Sequence, residues 1–129
     1  DKSFFEGLTR REAYMQYFMD QLEIGCLMQQ YPYKHRELEE ILELLVDTVC
    51  SNRSTIRIAG DSKPFAVVKS KLMKLECTHI QYVLECLDKN DTEIRNIKQY
   101  LLATLYNAPL TISNYYTAMF NNDRANGRI

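Results

Sequence analysis

Ile94-Arg95-Asn96-Ile97-Lys98-Gln99-Tyr100-Leu101-Leu102-Ala103-Thr104-Leu105-Tyr106-Asn107-Ala108-Pro109 reads as a helix with both of its ends marked. Asn96 can accept a hydrogen bond from a free backbone N–H at the N-terminus, and Gln99 can reach back to it as in a capping box. Pro109 cannot donate to a helical ladder and pushes Ala108 towards extended geometry, so the helix is expected to stop there. Ile97, Tyr100, Leu101, Thr104, Leu105 and Ala108 recur at helical spacing as a wide apolar stripe. Only Lys98 and Gln99 are strongly polar inside it. Such a helix has to be covered by neighbours, which makes it the expected central rod and most buried element of a bundle. It holds no catalytic group.

The rest of the chain supplies the cover. After Pro109, residues 111–121 are expected as a last helix with Ile112, Tyr115, Tyr116, Met119 and Phe120 as its apolar residues, and 122–129 as a frayed tail. Before the rod, Thr78 and Gln81 form a capping box for a helix over 79–88 whose inner stripe is Ile80, Val83, Leu84 and Leu87. Upstream of that, Asp61 or Ser62 can cap a helix with Pro64 near its first position, turning Phe65, Val68, Leu72 and Leu75 inward. The clearest helix covers 37–50, where Leu38, Ile41, Leu42, Leu45 and Val49 hold one face and acidic residues the others. Thr9 and Glu12 mark the start of a first helix after a loose lead-in over 1–8, and Gly25 is expected to end or bend it. Residues 54–60 are the one strand-like piece, rich in β-branched residues and closed by Gly60. With no partner strand visible in the chain, that piece must pair with another segment, pair with a second molecule, or stay extended. The fold class that follows is all-α: a compact bundle of about six helices with at most one short strand.

Composition agrees. The 129 residues suit one domain and a real core, at 46% hydrophobic and 26% charged. Four glycines and three prolines leave little room for a turn-rich β fold. No apolar run approaches the ~20 residues of a membrane span and no signal-peptide pattern opens the chain, so the cytoplasm is the expected compartment. The opening residue is Asp1 rather than methionine, as in a piece of a longer protein.

Catalytic chemistry finds no constellation. The four glycines are isolated, so no phosphate loop is present. His35 and His79 lack a flanking nucleophile motif, and the glutamates of 37–50 read as a solvated helix face. Cys26, Cys50, Cys77 and Cys86 form no C-x-x-C pair, and Cys77-x-His79 is the nearest approach to a ligand pair. Reduced thiols packed as small apolar groups are expected, with no metal, no cofactor and no enzymatic activity.

The net charge of −1 hides a segregation. Residues 53–74 carry Arg53, Arg57, Lys63, Lys69, Lys71 and Lys74 against Asp61 alone, between acidic blocks over 34–52 and 75–93. These six, with Tyr115 and Tyr116, are the candidate binding residues for a partner protein or for DNA phosphates. A solvated helix face, or pairing with the acidic blocks, is the plainer account of the charges; filling the core edge is the plainer account of the tyrosines.

Several pieces resemble a known family: Thr55-Ile56-Arg57-Ile58-Ala59-Gly60, Val67-Val68-Lys69-Ser70, His79-Ile80-Gln81-Tyr82-Val83-Leu84 and, above all, the 94–109 stretch with the following Tyr115-Tyr116. Over about residues 20–121 the chain resembles the C-terminal domain of replication initiator protein A of Gram-positive plasmids and conjugative elements. It is also similar to the helical C-terminal domain of the primosomal DnaD and DnaB proteins, whose aromatic-rich DNA-binding signature is matched here only by Tyr115-Tyr116. The resemblance implies that residues 1–129 are a single helical C-terminal domain, lacking the winged-helix half that binds origin DNA. It implies a non-catalytic adaptor that recruits host replication proteins (primase, helicase or helicase loader) to an origin. A DNA-binding domain and an oligomerisation domain acting through the Ile56–Ile58 strand edge are the alternatives.

Overall fold

A computed structural model of the chain describes the backbone of residues 2–89 and 96–125 and the side chains of residues 9–89 and 96–114. The elements run α1 (Lys2–Gln21), α2 (Ile24–Gln30), α3 (His35–Val49), β1 (Thr55–Ile58), β2 (Asp61–Pro64), α4 (Phe65–Met73), α5 (Cys77–Lys89) and α6 (Ile97–Ala125). The compact, mostly helical class expected of the sequence is the one found, with a two-stranded hairpin as its only sheet among the described residues.

The rod of the bundle is α3, not α6. Leu38, Ile41, Leu42, Leu45, Val46 and Val49 are all buried, and α1, α2, α4 and α6 pack around them. Buried positions run along nearly all of α3, from Leu38 to Val49, whereas in α6 they begin only at Leu101, after a largely exposed first turn. Buried Thr48 is satisfied by donating to the Leu44 carbonyl at 2.7 Å. In α6, Leu101, Leu105 and Ala108 are buried as expected, while Tyr100 and Thr104 are half-buried. Ile97, expected in the stripe, is 43% exposed. A side chain in the first turn tilts towards the helix N-terminus, off the end of the packed face.

Pro109 does not end the helix; α6 runs through it to Ala125, so the expected last helix is its continuation. Proline costs about 3 kcal/mol in a helix interior because the Leu105 carbonyl loses its donor and meets the ring. Leu105 and Ala108, fully buried on the packed face, hold the turn in spite of that. The N-terminus of α6 is as read: the Gln99 N–H donates to Asn96 Oδ1 at 3.1 Å.

Three other boundaries move. α1 begins at Lys2, so Thr9 and Glu12 lie inside it; the capping pattern also fits a helix interior, where threonine costs well under ~1 kcal/mol. α1 ends at Gln21 without help from Gly25, which sits inside α2; Glu23 makes the corner in the left-handed region at φ 52°. Residues 61–64 form the partner strand that the sequence does not advertise. Ala59 (φ 51°) and Gly60 (φ 88°) make a left-handed two-residue turn that folds Asp61–Pro64 back on β1. Register pairs Thr55 with Pro64 and Ile58 with Asp61, and the Phe65 N–H donates to the Ser54 carbonyl at 2.9 Å. Asp61 and Ser62 therefore cap nothing; Pro64 precedes α4. β1 is therefore paired within the chain, along the edge that faces β2.

The described elements share one core. Ile56 and Ile58 enter it from the hairpin, Val68 and Leu72 from α4, Leu75 from the following turn, Ile80, Val83 and Leu84 from α5, Phe18 from α1 and Leu22 from the turn after it. At the start of α5 the capping atom is not on Thr78: His79 Nδ1 accepts the Glu76 N–H at 2.9 Å. Of the cysteines, Cys50 and Cys77 pack against the core as expected, whereas Cys26 is exposed; none is in a disulfide.

Candidate functional site

The basic stretch is laid out by the hairpin and α4. Arg53 is exposed in the connection after α3, and its N–H donates to Ser51 Oγ at 3.2 Å. On β1 the alternation buries Ile56 and Ile58 and turns Arg57 outward, opposite Ser62. Lys63 stands across from Ile56, hence on the inner face, and is half-buried.

Lys69 and Lys71, two positions apart, leave α4 on nearly opposite sides. The Lys69 ammonium lies 5.1 Å from the centre of the Tyr14 ring on α1, and the Lys71 ammonium 4.5 Å from that of Tyr106 on α6. Lys74, exposed at the C-terminus of α4, is one turn on from Lys71. The structure thus brings Lys71 and Lys74 together, and separates them from Lys69. The side chains of Tyr115 and Tyr116 lie outside the described residues; their backbone belongs to α6.

Sequence reasoning missed Arg10. Its guanidinium lies 5.8 Å from the Tyr14 ring, so Lys69 and Arg10 share one aromatic ring. These cations, Lys69 first, hold the Tyr14 hydroxyl below its ordinary pKa against the opposing effect of burial. Arg10 is far from the basic stretch in sequence, and only the packing of α1 against α4 joins them.

Folding does not neutralise the segregated charge. Arg11 binds Asp47 at 2.7 Å and Glu43 at 3.5 Å, Arg36 binds Glu40 at 3.2 Å, and Lys34 binds Asp88. Among the described residues, none of the six basic candidates forms an ion pair with a carboxylate. The acidic helix α3 draws its counter-charges from its own chain neighbourhood and from α1, leaving the basic stretch uncompensated.

Two grooves carry the remaining features. One of about 400 Å³ lies where Arg57, Gly60, Asn96, Gln99 and Tyr100 meet, beside the first turn of α6. The other, about 450 Å³, lies between α3 and α6. Leu44, Ile97 and Leu101 form its floor, and Glu39, Glu43 and Asp47 are on its acidic side. A further hollow of about 350 Å³ joins it through Arg36, Glu40, Ile97 and Leu101. Glu37 lines this hollow, and its Oε2 is buried without a hydrogen-bond partner among the described residues.

Reactive groups are not gathered among the described residues. Among the described residues no three His, Cys, Asp or Glu side chains converge as a metal site. Burial, followed by the neighbouring Glu23, pushes the Cys77 thiol up, the opposite of nucleophile activation. Tyr82 is pushed up to about 12 by Cys86 and burial. No helix among the described residues is long and apolar enough to cross a membrane.

Fold and surface together define a small, mostly helical protein with a basic edge, an acidic groove and no gathered reactive groups among the described residues. The chain belongs to the family of unknown function DUF6017, whose model matches residues 6–127. No curated protein and no solved structure matches it.

Proposed function

We propose that this protein is a non-catalytic adaptor of a plasmid or conjugative-element replication initiator. In this reading it works in the cytoplasm and recruits a host primase, helicase or helicase loader by docking an acidic surface of that partner. The resemblance of the 94–109 stretch to replication initiator protein A supplies the pathway. The observation that carries the docking mode is the basic edge left without carboxylate partners, with Lys71 and Lys74 on one side of α4. Arg57 adds charge beside the N-terminus of α6, where the helix dipole is also positive. A protein partner is favoured over DNA phosphates because Lys69 and Lys71 point to different sides of α4 and give no continuous track for a nucleic-acid backbone.

The test is Lys71→Glu with Lys74→Glu. Both residues are exposed, so folding is little affected. Capture of the purified host primase, helicase or helicase loader is expected to weaken by about tenfold or more, and wild-type capture to fade with added salt. Lys89→Glu, an exposed lysine on α5, serves as the control. Unchanged capture by the double variant would make the basic edge a solvated face. Loss confined to a DNA fragment, with a steep salt slope, would replace the adaptor by a DNA-binding role.

A further inference from the structure

We propose that the groove between α3 and the first turns of α6 docks a basic amphipathic helix of a partner protein. The surface is separate from the basic edge, so this inference stands or fails apart from the role given to Lys71 and Lys74.

Shape points to a helix. The α3 wall runs from Arg36 to Asp47, about 16 Å at the helical rise per residue, so the depression is elongated rather than round. Its floor is apolar, with Leu44 and Leu101 set between the walls and Ile97 left 43% exposed at the entrance. The bundle leaves much of this isoleucine in water, and an apolar side chain laid over it would remove the remainder. An amphipathic helix in a groove meets both conditions, since its apolar residues recur every three or four positions along one line.

Charge selects the occupant. Glu39, Glu43 and Asp47 recur at one-turn spacing along the α3 side, and Asp88 and Glu37 continue the acidic lining into the adjoining hollow. Arg11 already pairs with Glu43 and Asp47, Arg36 with Glu40 and Lys34 with Asp88, and Lys98 lines the groove from α6. The acidic excess of the lining therefore rests on Glu39 and Glu37. Glu39 has no ion-pair partner among the described residues, and the buried Glu37 Oε2 has no donor. Lysine or arginine side chains flanking the apolar line of a partner helix would face Glu39 and the outer side of the Arg11-paired Glu43, and a donor at one end would reach Glu37. An acidic helix would be repelled along the same wall.

The probe is a labelled synthetic helical peptide of about 15 residues, with leucines along one face and lysines on the others. It is titrated with the whole chain and followed by fluorescence anisotropy. A second peptide of equal charge carries serine in place of each leucine. Binding of the first peptide is expected to saturate and to weaken with salt, and the serine peptide is expected to bind at least about tenfold more weakly. Ile97→Asp puts a carboxylate where the helix dipole favours it, so folding is spared while the apolar contact is lost. It is expected to weaken capture by about tenfold or more, as is Glu39→Lys with Glu43→Lys, with the far-UV spectrum unchanged in each. The proposal is overturned if both peptides bind alike, or if Ile97→Asp binds as the wild type does. It is equally overturned if light scattering shows the chain self-associating and Ile97→Asp becoming monomeric, because the occupant is then a second copy.

Discussion

His79 works as the third residue of the first turn of α5, with its ring Nδ1 accepting the Glu76 N–H. That bond requires the neutral ring, since a proton on Nδ1 would remove the acceptor. Burial lowers the pKa of His79, and the nearby Glu76 carboxylate opposes the shift only in part. The unfolded chain, with an ordinary histidine near ~6.5, therefore takes up the proton first. The stability tied to neutral His79 is present above that value and is lost as pH falls through the lower folded pKa. Melting temperatures between about pH 7 and pH 5 should drop less in His79→Gln, because glutamine can accept the same N–H without titrating. Equal pH slopes for the two proteins would sink this account. Thr78 and Gln81 advertise the cap in the sequence, yet a histidine ring two residues closer to the turn holds it, and a ring is not part of the usual capping pattern.

At the scale of elements, Pro109 is the instructive case. Its local rule is correct, since the ring and the missing donor do weaken the helix. The rule loses to packing: Leu105 and Ala108 are fully buried on the same face, and the chain continues helically. Pro109→Ala should accordingly raise stability by roughly 2–2.5 kcal/mol: about 3 from the helix interior, reduced by about 0.4–1 for the extra freedom of the unfolded alanine chain. Chemical denaturation reads this directly, and a loss of stability would mean that proline's shape is needed at the site. The hairpin errs the other way. Asp61-Ser62-Lys63-Pro64 has no strand propensity, and it pairs because the Ala59-Gly60 turn returns it to β1, whose backbone groups need partners.

Across the whole molecule the core is continuous, with α3 at its centre. Leu45→Ala on the rod should cost ~2–5 kcal/mol and Leu101→Ala a comparable amount, whereas Ile97→Ala should stay within ~0.5 kcal/mol. Denaturation midpoints would check the ranking, and an Ile97 cost equal to that of Leu45 would contradict the exposure of the groove. Helical periodicity was enough to find α3, the inner faces of α4 and α5 and the Asn96 cap, because each depends on side chains a turn or two apart. What only the tertiary structure decided depends on residues distant in the chain: α3 rather than α6 as rod, α6 running past Pro109, and β2 as a strand. So do the sharing of Tyr14 by Arg10 and Lys69, the parting of Lys69 from Lys71, and the groove with Ile97 at its mouth. Local sequence sets which conformations are cheap, but the order in which apolar faces cover one another is set by a sum over the whole chain, and that sum overrode single residues wherever the two disagreed.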